Sequence, residues 1–319
     1  MENLPPSECR GIWYCCGHKV NTLPGHDYVY SGPMATYCAW HRPMAIYAPA
    51  VSKTFFVYGN ADNAPTISFY DHGAGRFAYP VVLGSNPDGD AHRNPTLLLE
   101  QSGHLVVFYG AHCHPTQVLR SVRPYDISSW EQVCDLPDKL TSYPQPWELV
   151  PGEIFVSYRE KREWSDSEWR GTVSRDGGRS WEPARDLVAL AECSVYGITI
   201  AETGAFPRRV HFVWSRLNGG TPEERETKHA WALRHHIYYA YSDDGGTTWR
   251  RSDGAAYRLP ITLETQEEIY NCGTHGVWLK DIQLDAQGRP YVLFIDSEVE
   301  TFEGLWKVGW LDDGAWHFS

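Results

Sequence analysis

The chain has 319 residues, enough for one large all-β domain or two average ones, and it can bury a substantial core in either case. Its 40 acidic against 28 basic residues leave a formal charge of −12, which disfavours a general role on nucleic acid or an anionic membrane. No run of about 18 apolar residues occurs, so no membrane-spanning helix is expected, while an aromatic content of 14% suits strands and also flat contacts with sugar rings.

The first residues, Met1-Glu2-Asn3-Leu4-Pro5-Pro6, carry neither the basic nor the apolar stretch of a secretion signal. A complete chain is therefore expected in the cytoplasm, and a mature form outside it or in the periplasm. Cys9, Cys15, Cys16, Cys38, Cys113, Cys134, Cys193 and Cys272 show no disulfide-scaffold spacing, so most are expected as free, buried thiols.

Residues 1–40 read as an extension that adds a strand or covers one face. Five units then follow one grammar of three strands and an acidic turn closed by an aromatic. The first has strands at 44–48, 54–58 and 66–70 and a turn from Asp71 to Phe77; the second has 96–100, 105–109 and 117–121, closed by Asp126 and Trp130. The third has 147–150, 154–158 and 170–174 with Asp176 and Trp181, and the fourth 197–201, 210–214 and 237–242 with Asp244 and Trp249. The fifth has 277–284, 291–295 and 305–310 with Asp313 and Trp316. The loops after Trp214 and Trp249 are longer than the others, and such insertions often carry function.

The third and fourth turns, Ser174-Arg175-Asp176-Gly177-Gly178-Arg179-Ser180-Trp181 and Ser242-Asp243-Asp244-Gly245-Gly246-Thr247-Thr248-Trp249, share the pattern Ser-x-Asp-x-Gly-x-x-Trp. In such a turn the Asp accepts backbone amides, Gly takes the positive φ of the reversal and Trp packs beneath the loop. Four-stranded units in series predict an all-β fold, a single β-propeller domain over residues 1–319, with five blades legible and six or seven left open.

In that architecture the loop into each first strand and the loop between second and third strands share a face. His41, Arg42, His92, Arg93, Asn94, His112, His114, Arg159 and Arg216 all fall on it, opposite the Asp turns. The second unit contributes most. Any single His here is as readily a packing residue, and Tyr58, Tyr109 and Tyr158 recur at one repeat position; the gathering of polar groups and aromatics reads as a site.

The two turns resemble the Asp-box, or BNR, repeat of sialidases and some polysaccharide lyases. The segments 36–43, 54–59, 90–95 and 119–121 resemble BNR-repeat propellers that include ulvan lyases and relatives cleaving rhamnosyl-glucuronate linkages. Those propellers usually have seven blades and longer chains. The resemblance implies β-elimination on a uronate-containing oligo- or polysaccharide: a base takes the C5 proton, an acid protonates O4, and a cation neutralises the carboxylate. It implies a His pair about twenty residues apart, then a Tyr and an Arg, which match His92 and His112, Tyr158 and Arg170. His92 or His112 is then the base, Tyr158 the acid or second base and Arg170 the neutraliser, with Arg93 and Arg159 as substitutes in that last role. The context of His41, Thr-Tyr-Cys-Ala-x-His, resembles the part of rhamnosyl-glucuronate-cleaving members that carries a catalytic His. Arg93, Asn94, His114, Arg159, Arg216 and Arg42 are expected to bind substrate.

No cofactor is required for this chemistry. Cys272 and His275, with His211 or His236, offer a Cys/His donor set of the structural zinc type. The rival functions are a sialidase-like or rhamnosyl-glucuronate glycoside hydrolase, with Glu160 or Glu298 as its carboxylate, and a non-catalytic sugar-binding propeller. The concentration of His in one unit argues against the near-equivalent sites that a lectin would show.

Overall fold

The computed structural model describes residues 40–60, 62–163, 166–191, 193–202, 208–218, 234–298 and 303–319. The expected N-terminal extension, Cys9, Cys15, Cys16, Cys38 and most of the long loop after Trp214 lie outside them. The fold is all-β, with four sheets of four to eight strands that resemble propeller blades. No described helix is long and apolar enough to cross a membrane. The chain divides into two compact units, one of residues up to Gly152 with Ser174–Trp181, the other of Glu153–Val173 with Glu182–Ser319.

In the first unit, β1 (Ala45–Ala48), β2 (Lys53–Gly59), β3 (Pro65–Asp71) and β4 (Arg76–Phe77) follow in order, and β5 (Val81–Val82) also pairs with β3. A second sheet runs β6 (Thr96–Leu99), β7 (Leu105–Tyr109), β8 (Gln117–Ser121) and β9 (Trp130–Gln132). β7 is buried at every position, as a central strand covered on both faces must be. Phe55, Val57, Ile67, Leu97, Leu105 and Val107 form one core across the two sheets. The unit's last strand, β10 (Thr141–Val150), begins six residues before the expected 147. Pro144 and Pro146 argue against a strand there, yet the backbone runs on, with Tyr143 at φ 58°.

The second unit holds β11 (Glu153–Glu163), β12 (Asp166–Ser174), β13 (Arg185–Val188), β14 (Cys193–Ala201), β15 (Val210–Asn218), β16 (Arg234–Ser242) and β17 (Glu267–Tyr270). The third and fourth repeats are not separate sheets, because β12 meets β14 in a parallel pairing at Ser167 and Ser194. The fifth repeat is a sheet of its own, β18 (Gly276–Leu284), β19 (Pro290–Ser297), β20 (Gly304–Asp312) and β21 (Ala315–Phe318).

Both Asp turns have the expected chemistry. Asp176 accepts from Ser180 N at 2.9 Å and Asp244 from Thr248 N at 2.8 Å, and the Gly pairs at 177–178 and 245–246 all have positive φ. The two Trp differ: Trp249 is fully buried in the second unit, whereas Trp181 is half-buried in the first, its Nε1 donating to Cys134 O.

Candidate active site

The first unit gathers its ionisable groups on the loop before β6. Asp90 opens a 3-10 turn (Ala91–Arg93), where its Oδ1 accepts the amide of His92 at 2.9 Å and its carbonyl accepts the amide of Arg93 at 3.1 Å. This Asx turn follows from the residue type, since Asp hydrogen-bonds its own backbone two positions on. Buried Asn86 donates to Asp90 O at 2.8 Å, and buried Asn63 to Gly89 O at 2.7 Å, so the loop is braced on both sides.

On this support the Asp90 carboxylate bridges two imidazoles. Oδ1 lies 2.5 Å from His92 Nδ1 and Oδ2 lies 2.8 Å from His112 Nδ1. The rings stack, with centroids 4.1 Å apart and planes 11° from parallel. An ionised carboxylate only accepts, so both Nδ1 atoms carry the proton, and in each neutral ring Nε2 is the basic nitrogen. Burial opposes ionisation of Asp90, but hydrogen bonds from His112 and His92 outweigh it and hold the carboxyl well below its usual range. Burial pulls His92 down to about 4, against the opposing hydrogen bond to Asp90.

Two further aromatics complete the cluster. His41, 1% exposed, donates Nε2–H to the carbonyl of His92 at 2.7 Å. Tyr143, also 1% exposed, lies edge-on to His41 at 5.4 Å, and its ring centroid is 6.4 Å from His92 and 6.2 Å from His112. Its left-handed backbone is uncommon for a bulky residue, a strain that recurs where function needs it. The structure thus brings together His41, His92 and His112 and adds Asp90 and Tyr143. Neither is among the residues singled out from sequence; the available signal for Asp90 is its Asx position two residues before a His.

The remaining predicted residues of this unit have other partners. Arg93 pairs with Asp88 at 2.5 Å, and His114 is 3.7 Å from the same carboxylate. Asn94 is buried against Gly59, where a Cβ would come within 2.8 Å of its Oδ1. Arg42 stands 5.9 Å from the Trp147 ring.

In the second unit, Tyr158 is fully buried, and Arg170 is held by Glu160 at 2.6 Å and Asp186 at 2.7 Å. Arg216 donates to Tyr238 OH at 3.0 Å. Arg159 lies over the Tyr196 ring at 4.9 Å, and Arg234 lies between Tyr196 at 4.2 Å and Trp278 at 4.5 Å. Burial raises the Tyr196 phenol, but the two guanidinium groups prevail and hold it below its ordinary value. Tyr196 and Arg234 lie where β14 and β16 run past the expected 197 and 237.

Among the described residues, Asp90, His92 and His112 bring three donor atoms within 4.8 Å of one another, close enough in principle for a metal ion. In this structure each Nδ1 meets an Asp90 oxygen, at 2.5 Å from His92 and 2.8 Å from His112. The expected Cys/His donors do not converge. Cys272 Sγ is 3.6 Å from His236 Nδ1 and donates to the carbonyl of His275, whose ring turns to Asp296 at 2.7 Å. His211 Nδ1 meets Tyr239 OH at 2.7 Å.

An all-β repeat protein with Asp turns on its strands and a carboxylate-bridged His pair is the class that fold and site define. The chain belongs to the BNR repeat-containing family, which it matches over residues 36–318. It is 24% identical over 328 residues to the ulvan lyase PL25 of Pseudoalteromonas sp. (strain PLSV), covering 92% of this chain and 63% of that protein. With an ulvan lyase of Alteromonas sp. (strain LOR) it shares 22% over 290 residues, covering 79% and 57%. The chain thus spans about three-fifths of the length of these relatives. Among solved structures, a PL25 ulvan lyase bound to -[GlcA(1-4)Rha3S]- superposes with a TM-score of 0.77 at 20% identity, over 90% of this chain and 71% of that one. The polysaccharide lyase Uly1 does so at 0.68 and 12%, over 93% and 76%, and these likenesses establish the shared fold.

Proposed function

We infer that the chain is a polysaccharide lyase that cleaves a uronate-containing, ulvan-type glycan by β-elimination, on sheets that close into a β-propeller. The observation that carries this reading is the cluster of His92, His112 and Tyr143 about Asp90. Family membership, two relatives that are ulvan lyases and a similar fold that binds a glucuronate-rhamnose repeat support the substrate class.

The base is His112 or His92, each with a basic Nε2. His112 keeps 26% of its side chain exposed against 9% for His92, which favours His112 at the sugar. Tyr143 is the better acid than Tyr158, because it lies against both imidazoles. The base takes the C5 proton, the electron pair forms the C4–C5 double bond, the C4–O4 bond breaks and the phenol protonates O4. His41 holds His92 through its carbonyl. Arg170, Arg93 and Arg159 are retained as candidates for the uronate carboxylate. Asn94, His114, Arg216 and Arg42 are retained as substrate-binding candidates.

Incubation with ulvan is expected to raise the ultraviolet absorbance of an unsaturated uronate, and His112→Ala and His92→Ala are each expected to lower turnover at least about 100-fold. New reducing ends without that absorbance would replace elimination by hydrolysis. Saturable binding with neither signal would make the protein a sugar-binding module.

A further inference from the structure

We propose that Asp90 is a positioning residue that sets one tautomer in two imidazoles at once, so that His92 and His112 both offer Nε2 to the reacting sugar. The inference rests on the lyase reading for its consequence in turnover, and on the site geometry alone for the tautomers.

The carboxylate has four acceptor sites, and three are filled, by the amide of His92 and by the Nδ1–H of each ring. It cannot rotate toward one imidazole without releasing the other. Its backbone is fixed as well, since Asn86 and the amide of Arg93 both donate to its carbonyl. The two oxygens are therefore held where they meet Nδ1 of rings that lie 20 residues apart in the chain and 4.1 Å apart in space. Were either ring to take the other tautomer, its bare Nδ1 would face a carboxylate oxygen at hydrogen-bond distance, lone pair against lone pair. That arrangement is repulsive in this partly buried setting, and it would leave a proton on the Nε2 that must accept one. One anion thus removes the same error from both candidate bases.

Asp90→Asn tests this directly. The amide keeps the shape but has one acceptor oxygen and one NH2 group, so it can still accept from one Nδ1–H and must donate to the other ring. That ring is expected to switch to the Nε2–H tautomer. Nitrogen-15 spectra of histidine-labelled protein should show His92 and His112 both protonated at Nδ1 in the wild type, and one of them protonated at Nε2 in the variant. On ulvan, Asp90→Asn should lose about 100-fold or more in kcat with KM changed less than about threefold, as expected when a fixed tautomer is lost without loss of the binding surface. Asp90→Ala should recover part of its turnover on addition of formate, which a merely structural side chain would not.

Nε2–H tautomers in the folded wild type would overturn the proposal, as would an Asp90→Asn protein that keeps the wild-type spectra. A folded Asp90→Asn enzyme with wild-type kcat on ulvan would do so too. The spectra read the tautomers whether or not any uronate glycan is cleaved, so failure of the lyase reading is a separate result. If Asp90→Asn fails to fold, the wild-type spectra and the formate response of Asp90→Ala decide.

Discussion

At the scale of single residues, burial of an imidazole outweighs the pull of a neighbouring carboxylate. His92 is pulled down to about 4 from an ordinary 6.5, chiefly by burial. Its folded pKa lies below the unfolded one, so the unfolded chain binds the proton more readily between these values. The stabilising contribution is fully present above about pH 6.5 and is lost as pH falls through about 4, on the order of 3 kcal/mol in all. His211, His235 and His236 are also lowered by burial and act in the same direction. The melting temperature is therefore expected to drop between pH 6.5 and 4, and His92→Gln to remove part of that slope. Equal slopes in the two proteins would count against the buried neutral imidazole.

At the scale of elements, two copies of one octapeptide have different weights. Trp249 is fully buried against Phe155 and Phe212, whereas Trp181 is half-buried, with its ring 6.1 Å from Phe108. Trp249→Ala is expected to cost about 3–5 kcal/mol and Trp181→Ala about 1–2, both measured by urea unfolding. Equal losses would show that the turn motif, and not its packing, sets the stability. The repeat itself was legible because its causes are local: an Asp that accepts amides within four residues and Gly at positive φ. The strand ends were not. β10, β14 and β16 run on through Tyr143, Tyr196 and Arg234, where Pro and polar residues break the local pattern; Tyr196 pairs with Ser215 and Arg234 with Leu217, both on β15.

At the scale of the whole molecule, aromatic contacts join successive sheets of the second unit. Trp316 on β21 packs 5.0 Å from Tyr239 and donates to Ser252 Oγ at 2.8 Å, while Phe318 packs 5.0 Å from Tyr270. Deleting residues 315–319 removes both anchors, and the melting temperature is expected to fall by more than about 5 °C. An unchanged melting temperature would show that these rings do not join the sheets energetically.

Local pattern in the sequence carries the all-β repeat and the Asp turns, because each depends on residues a few positions apart. Tertiary structure decided that Asp90 bridges two imidazoles, that Tyr143 lies against both and that Tyr158 is buried. Apart from Asp90 to His92, two positions on, those contacts join residues 22 to 51 positions apart, where sheet packing and loop bracing, not local pattern, set which side chains meet.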